Sequence, residues 1–447
     1  MALFFESALL PSGWAIGARI TVTGGRIAAI ETGVTPLPGD DCHGCAVPGV
    51  ANLHSHAFQR AMAGRTEIAG PDGDDFWTWR EAMYRLAGRI DPDALHDIAA
   101  FAFAEMLAAG FTSVAEFHYL HHDRDGSPFA NIAEMSERLI AAAVDTGIGL
   151  TLLPVLYAHG GFGGVALGER QRRFGLDLDG YGRLVAQCRQ VAANHYGIAI
   201  GLGAHSLRAV TPAELAEFAT MDSDCPMHIH IAEQTAEVDA AIACLGARPV
   251  EWLLANVDVD RRWCLVHATH VTPAERLGIA ASGAVAGLCP ITEANLGDGI
   301  FPAAAFVAEG GRFGVGSDSN VEIGLTGELR LLEYGQRLLH RSRNVMAGGA
   351  GRSTARSLFD AALAGGAQAI GNRLHGLVVG ASADLVALRS DDRQRDELLS
   401  AWLFSGDGAG MIDRVWARGR LCVVGGRHVD HDELAVRYRR RVKELFA

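Results

Sequence analysis

The stretch VPGVANLHSH, residues 47–56, has the composition of a short buried strand that ends on two histidines. Seven later stretches have the same strand character: TSVAEFHYL (112–120), IGLTLLPVLY (148–157), IAIGLGAHS (198–206), PMHIHIAE (226–233), WCLVHATH (263–270), AVAGLCPIT (284–292) and FGVGSDSN (313–320). Segments with helical apolar spacing lie between them, such as DALHDIAAFAFAEMLAAG at 93–110. Eight strand-then-helix units over roughly 320 residues predict a (β/α)8 barrel of the TIM type, with the active site at the C-terminal ends of its strands. A doubly wound open sheet is the alternative, but it would not require eight units.

Both ends of the chain have a different pattern from the middle. The stretches ARITVTGGRIAAIETG (18–33), GLVVGASADLVAL (376–388) and RVWARGRLCVVGGR (414–427) alternate apolar and polar residues around glycine turns. This alternation is typical of short antiparallel strands. We therefore expect one small β-sandwich module built from residues 1–48 together with 374–447, and a barrel domain over residues 49–373.

Composition and charge limit the class of partner. The chain is 49% hydrophobic and 20% charged, the balance of a globular protein, and its net charge is −13. A net negative charge disfavours nucleic acid or an anionic membrane as the main partner. The N-terminus lacks the basic start and apolar run of a signal peptide, so we expect a cytoplasmic protein whose eight scattered cysteines are free thiols.

The chain contains one lysine, Lys443, close to its C-terminus. Arginine supplies every other basic side chain apart from histidine. No lysine is therefore available within the barrel for a Schiff base, a phosphate-binding loop or a carboxylated-lysine metal bridge.

Five histidine and aspartate residues fall at the ends of the predicted barrel strands. His54 and His56 are two residues apart in a strand, so both side chains point to one face. His230 and Asp318 converge on them from the fifth and eighth strands, and His267 ends the sixth. A lone His-x-His pair among 18 histidines is more often accidental, but five such placements are much harder to obtain by chance. Three imidazoles and a carboxylate around an open position predict a catalytic zinc or a similar divalent ion.

Glu233 follows His230 by three residues and leaves the strand where the site opens. A carboxylate there is positioned to move protons to and from an activated water, although Glu233 could instead cap the following helix. His267 is placed to hydrogen-bond the attacking hydroxide or to polarise the bond under attack.

At this point the sequence resembles the amidohydrolase superfamily, and its deaminase branch in particular. The strings that carry the resemblance are LHSHAFQR (53–60), HIHIAEQ (228–234), LVHATH (265–270) and GVGSDSN (314–320). The resemblance covers essentially the whole chain and includes the β module at its ends. Members with two metals use a bridging lysine, and Lys443 cannot serve, so a site for a single ion is implied.

More specific strings resemble the N-formimino-L-glutamate deiminases of histidine degradation. They are HSHAFQRAMAGRTE (54–67), FWTWREAMYRLA (76–87), YAHGGFGG (157–164), ERQRRF (169–174), AHSLRAV (204–210) and CPITEANLGDGIFP (289–302). The resemblance implies one divalent ion per chain, zinc, with His54, His56, His230 and Asp318 as its ligands. It implies Glu233, His267 and Asp318 as catalytic residues, and Gln59, Arg80, Tyr119, His205 and Arg208 as substrate contacts. The implied reaction converts N-formimino-L-glutamate into N-formyl-L-glutamate and ammonia, and we expect the enzyme to be a homodimer.

The charge of this substrate agrees with the residues. Formiminoglutamate has two carboxylates, and a planar, permanently charged guanidinium suits them better than an ammonium. Arg208 follows the fourth strand and Arg80 lies in an aromatic-rich segment after the first, although either could be a surface arginine. The glycine-rich segment at 157–174 could close over the substrate as a lid, or could be a connection with no such role.

Other functions remain open from the residues alone. A deaminase of the same branch could act on a purine-like ring such as guanine or adenosine, with stacking and amide donors in place of two arginines. A non-catalytic scaffold of the superfamily would be expected to lose ligands, yet all four are present. A base deaminase of the Cys-ligated type lacks its His-x-Glu and Pro-Cys-x-x-Cys signals.

Overall fold

The computed structural model describes residues 1–71, 73–389, 393, 395–406 and 408–447. The chain begins with four strands: β1 (Ala2–Leu10), β2 (Gly13–Thr23), β3 (Arg26–Glu31) and β4 (Asp41–Pro48). β1 pairs antiparallel with β2, and β2 antiparallel with β3. β1 pairs in parallel with β4. The expectation of antiparallel strands is therefore wrong for this one pair, because the long connection after β3 lets β4 return in the direction of β1.

The barrel strands come next in the chain, and the fourth of the eight predicted strands is split in two. They are β5 (Val50–Ser55), β6 (Phe111–His118), β7 (Gly149–Leu156), β8 (Ile198–Ile200), β9 (Leu202–Ser206), β10 (Met227–Ile231), β11 (Trp263–His267), β12 (Val285–Leu288) and β13 (Arg312–Val315). Apart from β8, which pairs with β7, they follow each other in sheet order from β5 to β13, and every pair is parallel.

The first and last barrel strands meet and close the sheet. Ser55 and Asp318 form a parallel bridge. The amide of His56 donates to the carbonyl of Asp318 at 2.9 Å, and the amide of Asp318 donates to the carbonyl of His54 at 3.0 Å. The predicted (β/α)8 barrel is thus confirmed, since an open doubly wound sheet would leave these two edges apart.

Two of the barrel strands, β5 and β7, are buried on both faces. Every residue of β5 and every residue of β7 (GLTLLPVL) is buried. Parallel strands covered on both sides read as continuous apolar runs instead of alternating ones, which is the pattern in the sequence.

Helices connect and surround these strands. They are α1 (Phe76–Ala87), α2 (Pro92–Ala108), α3 (Glu134–Thr146), α4 (Leu178–Ala192), α5 (Pro212–Thr220), α6 (Thr235–Leu245), α7 (Pro249–Asn256), α8 (Pro273–Ser282), α9 (Pro290–Leu296), α10 (Ala303–Ala308), α11 (Leu325–His340), α12 (Thr354–Ala369), α13 (Arg395–Phe404) and α14 (His431–Leu445). Short 3₁₀ turns span Ala57–Met62, Glu169–Phe174, Val345–Ala347 and Ala409–Met411.

The local sequence determines where several helices start. α5 and α8 both begin with the sequence Thr-Pro-Ala-Glu, at Thr211 and Thr272. In each helix start, the threonine hydroxyl accepts a hydrogen bond from the backbone amide of the glutamate. The glutamate side chain accepts one from the backbone amide of the threonine, and proline occupies the first turn. Two of the amide donors that a helix start leaves free are satisfied in this way.

The C-terminal strands complete the terminal sheet: β14 (Leu385–Leu388), β15 (Ile412–Ala417), β16 (Arg420–Val424) and β17 (Arg427–His428). β14 pairs antiparallel with β4, so both ends of the chain form one sheet in the order β17-β16-β15-β14-β4-β1-β2-β3. The predicted β module from both termini is confirmed. Within the described residues, none of the helices has the length and apolar character needed to cross a bilayer.

Candidate active site

Four side chains meet at the C-terminal end of the barrel. Nε2 of His54 lies 3.2 Å from Nε2 of His56 and 3.1 Å from Nε2 of His230. Oδ1 of Asp318 lies 3.4 Å and 3.3 Å from Nε2 of His54 and His56. One ligand atom from each of the four residues lies within 4.8 Å of the others. The sequence predicted this convergence from the strand ends alone.

Backbone hydrogen bonds set the orientation of two of these rings. Nδ1 of His56 bonds the carbonyl of Phe117, and Nδ1 of His230 bonds the carbonyl of His205, both at 2.9 Å. A proton on Nδ1 leaves the Nε2 lone pair free to face the cluster. Burial lowers the pKa of the three histidines, in His54 to about 3, so the rings are neutral.

The donor set therefore fits a divalent metal ion. Burial alone would raise the pKa of Asp318, but its hydrogen bond with His54 and the charge on His267 hold that pKa below its usual range. Three neutral imidazoles and one carboxylate, with their donor atoms facing each other at 3.1–3.4 Å, are a ligand set suited to zinc and similar ions.

The backbone around the cluster is unusual. Ala232, His267, Ala268, Asp318 and Asn320 all have φ between 45° and 67° although none is glycine. Such residues lie in the left-handed region, which costs free energy and persists where the surrounding structure enforces it. All five lie at the C-terminal ends of β10 and β11 or in the residues after β13, so the strain is concentrated at the mouth of the barrel.

His267 lies among carboxylates beside the cluster. Its Nε2 is 3.8 Å from Oδ2 of Asp318 and 3.9 Å from Oε1 of Glu233, and its Nδ1 is 3.3 Å from Oε1 of Glu293. Burial disfavours the imidazolium, but Glu233, Glu293 and Asp318 together raise the pKa of His267 to about 10. Burial raises the pKa of Glu233, despite the opposing charges of His267 and Arg208. A cation and a carboxyl that can hold a proton are therefore side by side.

Glu233 does not cap the helix that follows it. α6 begins at Thr235 after Gln234, and no side-chain hydrogen bond caps this start among the described residues. The backbone amide of Glu233 instead donates a hydrogen bond to Oε2 of Glu237 in α6 at 3.2 Å, which holds the backbone of Glu233 in place. The carboxylate of Glu233 is left facing the pocket.

The residues predicted to contact substrate line the same pocket. Gln59 donates to the hydroxyl of Tyr119 at 3.0 Å, and the ring of His205 packs 4.5 Å from the ring of Tyr157. The pocket lining includes every predicted site residue except His54, which is fully buried behind His56: His56, Gln59, Arg80, Tyr119, His205, Arg208, His230, Glu233, His267 and Asp318.

Two arginines add positive charge to the pocket at a distance from the histidine cluster. The guanidinium carbons of Arg80 and Arg208 lie 5.0 Å and 6.0 Å from the ring centroid of Trp77. Nε of Arg208 is buried and has no hydrogen-bond partner among the residues that the structure describes. A buried guanidinium donor without a partner is costly, so this group is poised for an anionic ligand.

The sequence did not predict Tyr84, which lines the pocket, or Gln171, which contacts two of the tyrosines of the pocket lining. Gln171 donates to the hydroxyl of Tyr157 at 2.9 Å and to that of Tyr84 at 3.4 Å. The sequence did contain a pattern that could have predicted Tyr84 as a lining residue. Phe76, Arg80 and Tyr84 are spaced four apart in α1 and therefore share one helix face. Gln171 gave no such signal, because its partners are fixed only by the fold.

The segment at 157–174 does lie against the site. Tyr157 and Phe174 line the pocket, and Arg173 donates to the carbonyls of Ile90 and His122 at 3.1 Å. These bonds anchor the C-terminal end of the segment. Its closure as a lid stays a prediction.

Comparison with known proteins agrees with this fold and geometry. The model of the amidohydrolase family matches residues 45–422. The chain belongs to the amidohydrolase family. Residues 1–44 match a second model, described as "Formimidoylglutamate deiminase HutF, N-terminal domain". A formimidoylglutamate deiminase of Pseudomonas aeruginosa is 51% identical over 443 residues, which cover 97% of each chain. The predicted resemblance to this group is confirmed.

Solved structures give the same result. The chain superposes on a crystal structure of an amidohydrolase from Brucella melitensis with a TM-score of 0.97 and 51% identity, over the whole of both chains. It also matches an atrazine chlorohydrolase from Arthrobacter aurescens, complexed with zinc, with a TM-score of 0.83. That match has 21% identity and covers 98% of this chain and all of the other, so it supports the fold alone.

Proposed function

We propose that the protein hydrolyses N-formimino-L-glutamate to N-formyl-L-glutamate and ammonia, a step of histidine degradation. The observation that carries this proposal is that the three histidines and the aspartate suited to a metal ion share one pocket with Arg80 and Arg208. The close relative from Pseudomonas aeruginosa, a formimidoylglutamate deiminase, supports the same substrate. A purine-like ring would not need two guanidinium groups, one of them with an unpartnered buried donor.

We further propose that His54, His56, His230 and Asp318 hold one zinc ion per chain. A divalent ion held there would supply Lewis-acid chemistry, which lowers the pKa of bound water from about 15.7 toward about 7 and so provides a nucleophile near neutral pH. Zinc suits three imidazoles and a carboxylate with one open position. A homodimeric assembly and a cytoplasmic location stay predictions.

The protein side chains then divide the proton transfers. Glu233 accepts a proton from the attacking water and Asp318 holds that water in line with the formimino carbon. The imidazolium of His267, stabilised by three carboxylates, donates a hydrogen bond to the tetrahedral intermediate. Glu233 returns this proton to the imino nitrogen, and then transfers the remaining hydroxyl proton of the tetrahedral intermediate to the same nitrogen. The C–N bond breaks as the formyl C=O bond forms, and ammonia is released.

Substrate contacts fix the other end of the molecule. We assign Arg80 and Arg208 to the two carboxylates of the substrate, with charge-assisted hydrogen bonds. Gln59, Tyr119 and His205 surround the chain that joins them to the reacting carbon. Burial lowers the pKa of His205 well below its usual value, so this ring acts as a neutral hydrogen-bonding group.

The test is a substrate comparison with protein loaded with one equivalent of zinc. Formiminoglutamate and guanine are supplied separately, and ammonia and formylglutamate are measured. We expect both products from formiminoglutamate and no ammonia from guanine. Ammonia from guanine alone would exclude the proposal, and formamide with glutamate would show that the other C–N bond breaks.

A further inference from the structure

The buried thiol of Cys289 lies beside Asp318 and takes no part in the reaction proposed above. Cys289 follows β12 directly and precedes α9, and its side chain is fully buried. One ligand atom each from Cys289, His267 and Asp318 lies within 4.8 Å of the others. This group is distinct from the histidine cluster, although both share Asp318.

The two oxygens of Asp318 face different neighbours. Oδ1 is 3.4 Å and 3.3 Å from Nε2 of His54 and His56, whereas Oδ2 is 3.8 Å from Nε2 of His267. A carboxylate oriented in this way can bind one ion through each oxygen. Oε1 of Glu233, 3.9 Å from Nε2 of His267, adds a further oxygen donor on the same side.

Glu293 holds the ring of His267 and the backbone of Cys289 from behind. Its Oε1 accepts from the amide of Cys289 at 2.9 Å and lies 3.3 Å from Nδ1 of His267. A carboxylate on Nδ1 directs Nε2 toward a ligand, as outer carboxylates do at many metal-binding histidines. The arrangement is therefore a sulfur, nitrogen and oxygen donor set with its own supporting carboxylate.

We propose that Cys289, His267 and Asp318 form a second, lower-affinity cation site that takes zinc, cadmium or cobalt after the first site is filled. A thiolate with an imidazole and a carboxylate suits these ions and not magnesium or calcium. Binding releases the thiol proton and the imidazole proton to solvent. Because it occupies His267 and lies beside Glu233, the second ion inhibits hydrolysis, and this consequence rests on the proposed function.

The decisive measurement is spectroscopic and needs no substrate. Metal-free protein is titrated with Co²⁺, and the thiolate-to-cobalt charge-transfer absorption in the near ultraviolet is followed. We expect no such band with the first equivalent and a band with the second. Absence of the band at the second equivalent, or its appearance with the first, would overturn the proposal.

Variants assign the band to one thiol. Cys289→Ser should abolish it, with Cys289→Ala as a second variant if the first does not fold. Cys264→Ser is the matched control, because Cys264 is an equally buried thiol in β11 that lies outside the group. A band that survives in Cys289→Ser and disappears in Cys264→Ser would refute the assignment.

Activity gives the separate consequence. Ammonia release from formiminoglutamate should peak near one equivalent of zinc and fall as zinc increases. Cys289→Ser should raise the zinc concentration for half inhibition by at least about tenfold, relative to its own maximum. Unchanged zinc inhibition in this variant would contradict the inhibitory site. Absence of turnover at every zinc level would instead count against the proposed function, and the cobalt band would still test the second site.

Discussion

Asn320 joins the two strands that carry the HxH pair and Asp318. It is fully buried with φ of 56°, and its Nδ2 donates to Oγ of Ser55 at 3.1 Å and to the carbonyls of His56 and Asp318 at 3.0 Å. Its Oδ1 accepts from Oγ of Ser317 at 2.6 Å. The side chain of Asn320 therefore fixes the distance between the proposed ligands His56 and Asp318, which come from the first and the last strand of the barrel.

Removal of this side chain should loosen the ligand cluster. We expect Asn320→Ala to weaken zinc affinity about 10–100-fold, the usual effect of losing an outer-shell partner, as measured by competition with a chromophoric chelator. Asn344→Ala is the matched control, since Asn344 is exposed and also has a left-handed φ, of 53°. Equal zinc affinity in the two variants would contradict the role assigned to Asn320.

Glu233 should matter for catalysis and not for metal binding. Glu233→Gln keeps the size of the side chain but cannot accept a proton from water. We expect zinc content to stay at that of the native protein, and kcat to fall by at least about 10²–10⁴-fold. A variant with native kcat would remove Glu233 from the mechanism.

Arg208 should decide affinity for an anionic substrate. Removing one partner of a buried charge pair costs about 2–5 kcal/mol, so Arg208→Met should lower kcat/KM for formiminoglutamate by roughly 30- to 4,000-fold. Zinc content should not change, because Arg208 lies outside the ligand cluster. Arg172→Met is the control, since Arg172 is exposed and pairs with exposed Glu169. Native kcat/KM in Arg208→Met would refute the anionic pocket.

For single residues, the sequence predicted correctly those positions that follow from the geometry of a strand. His54 and His56 follow from a period of two in a strand, and His230 and Asp318 from the rule that barrel strands end at one face. The Gln171 contacts with Tyr84 and Tyr157 could not be predicted, because they join three separate segments. Their relative positions depend on packing and not on any local pattern.

The C-terminal helix α14 is held on α2 by one buried carboxylate. Asp97 accepts from Nε of Arg437 at 2.9 Å and from Nε of Arg441 at 2.8 Å. Burial alone would raise the pKa of Asp97, but these hydrogen bonds outweigh it and lower that pKa below its ordinary value. The helix that ends the chain is thereby tied to the barrel.

This pair should make stability depend on pH in a known direction. A lowered pKa in the folded state stabilises the protein above the unfolded pKa of about 3.9, and the contribution is lost as pH falls through the folded value. Asp97→Asn should therefore lower the melting temperature by about 2–4 °C at pH 7, with the difference narrowing below about pH 4. A difference that is constant across this range would contradict the role of the ionised carboxylate.

Elements were predicted well where the pattern is local and poorly where tertiary contacts decide. The stretch 198–206 reads as one strand, yet the structure divides it at Gly201 into β8 and β9. A Cβ at Gly201 would lie 2.6 Å from the side chain of Leu153 and 2.9 Å from the carbonyl of Pro226. Two other segments therefore pack closely against this glycine where the strand is divided, and no local pattern in the sequence predicts that contact.

The whole barrel is closed at its active site. Ligands of the proposed zinc ion come from β5 and the residue after it, from β10 and from the residues after β13. The hydrogen bonds of Asp318 with His54 and His56 join the first strand to the last. An ion bound by all three segments therefore cross-links the seam of the barrel. The terminal sheet, which we propose as a separate domain of residues 1–48 with 374–447, has no ligand in the cluster.

Metal removal should accordingly weaken the barrel seam more than the terminal sheet. A ligand at 100 times its Kd stabilises the folded state by about 2.7 kcal/mol, so we expect metal-free protein to melt at a lower temperature and one equivalent of zinc to restore it. Hydrogen exchange should quicken at the amides of His56 and Asp318 on metal removal, while the β15–β16 amides stay protected. His230→Ala is the control, and zinc should not shift its melting temperature to the native extent. Equal exchange at the seam with and without metal would show that the ion does not stabilise the closure, because the amides that close the barrel are bonded between the very residues that would bind it.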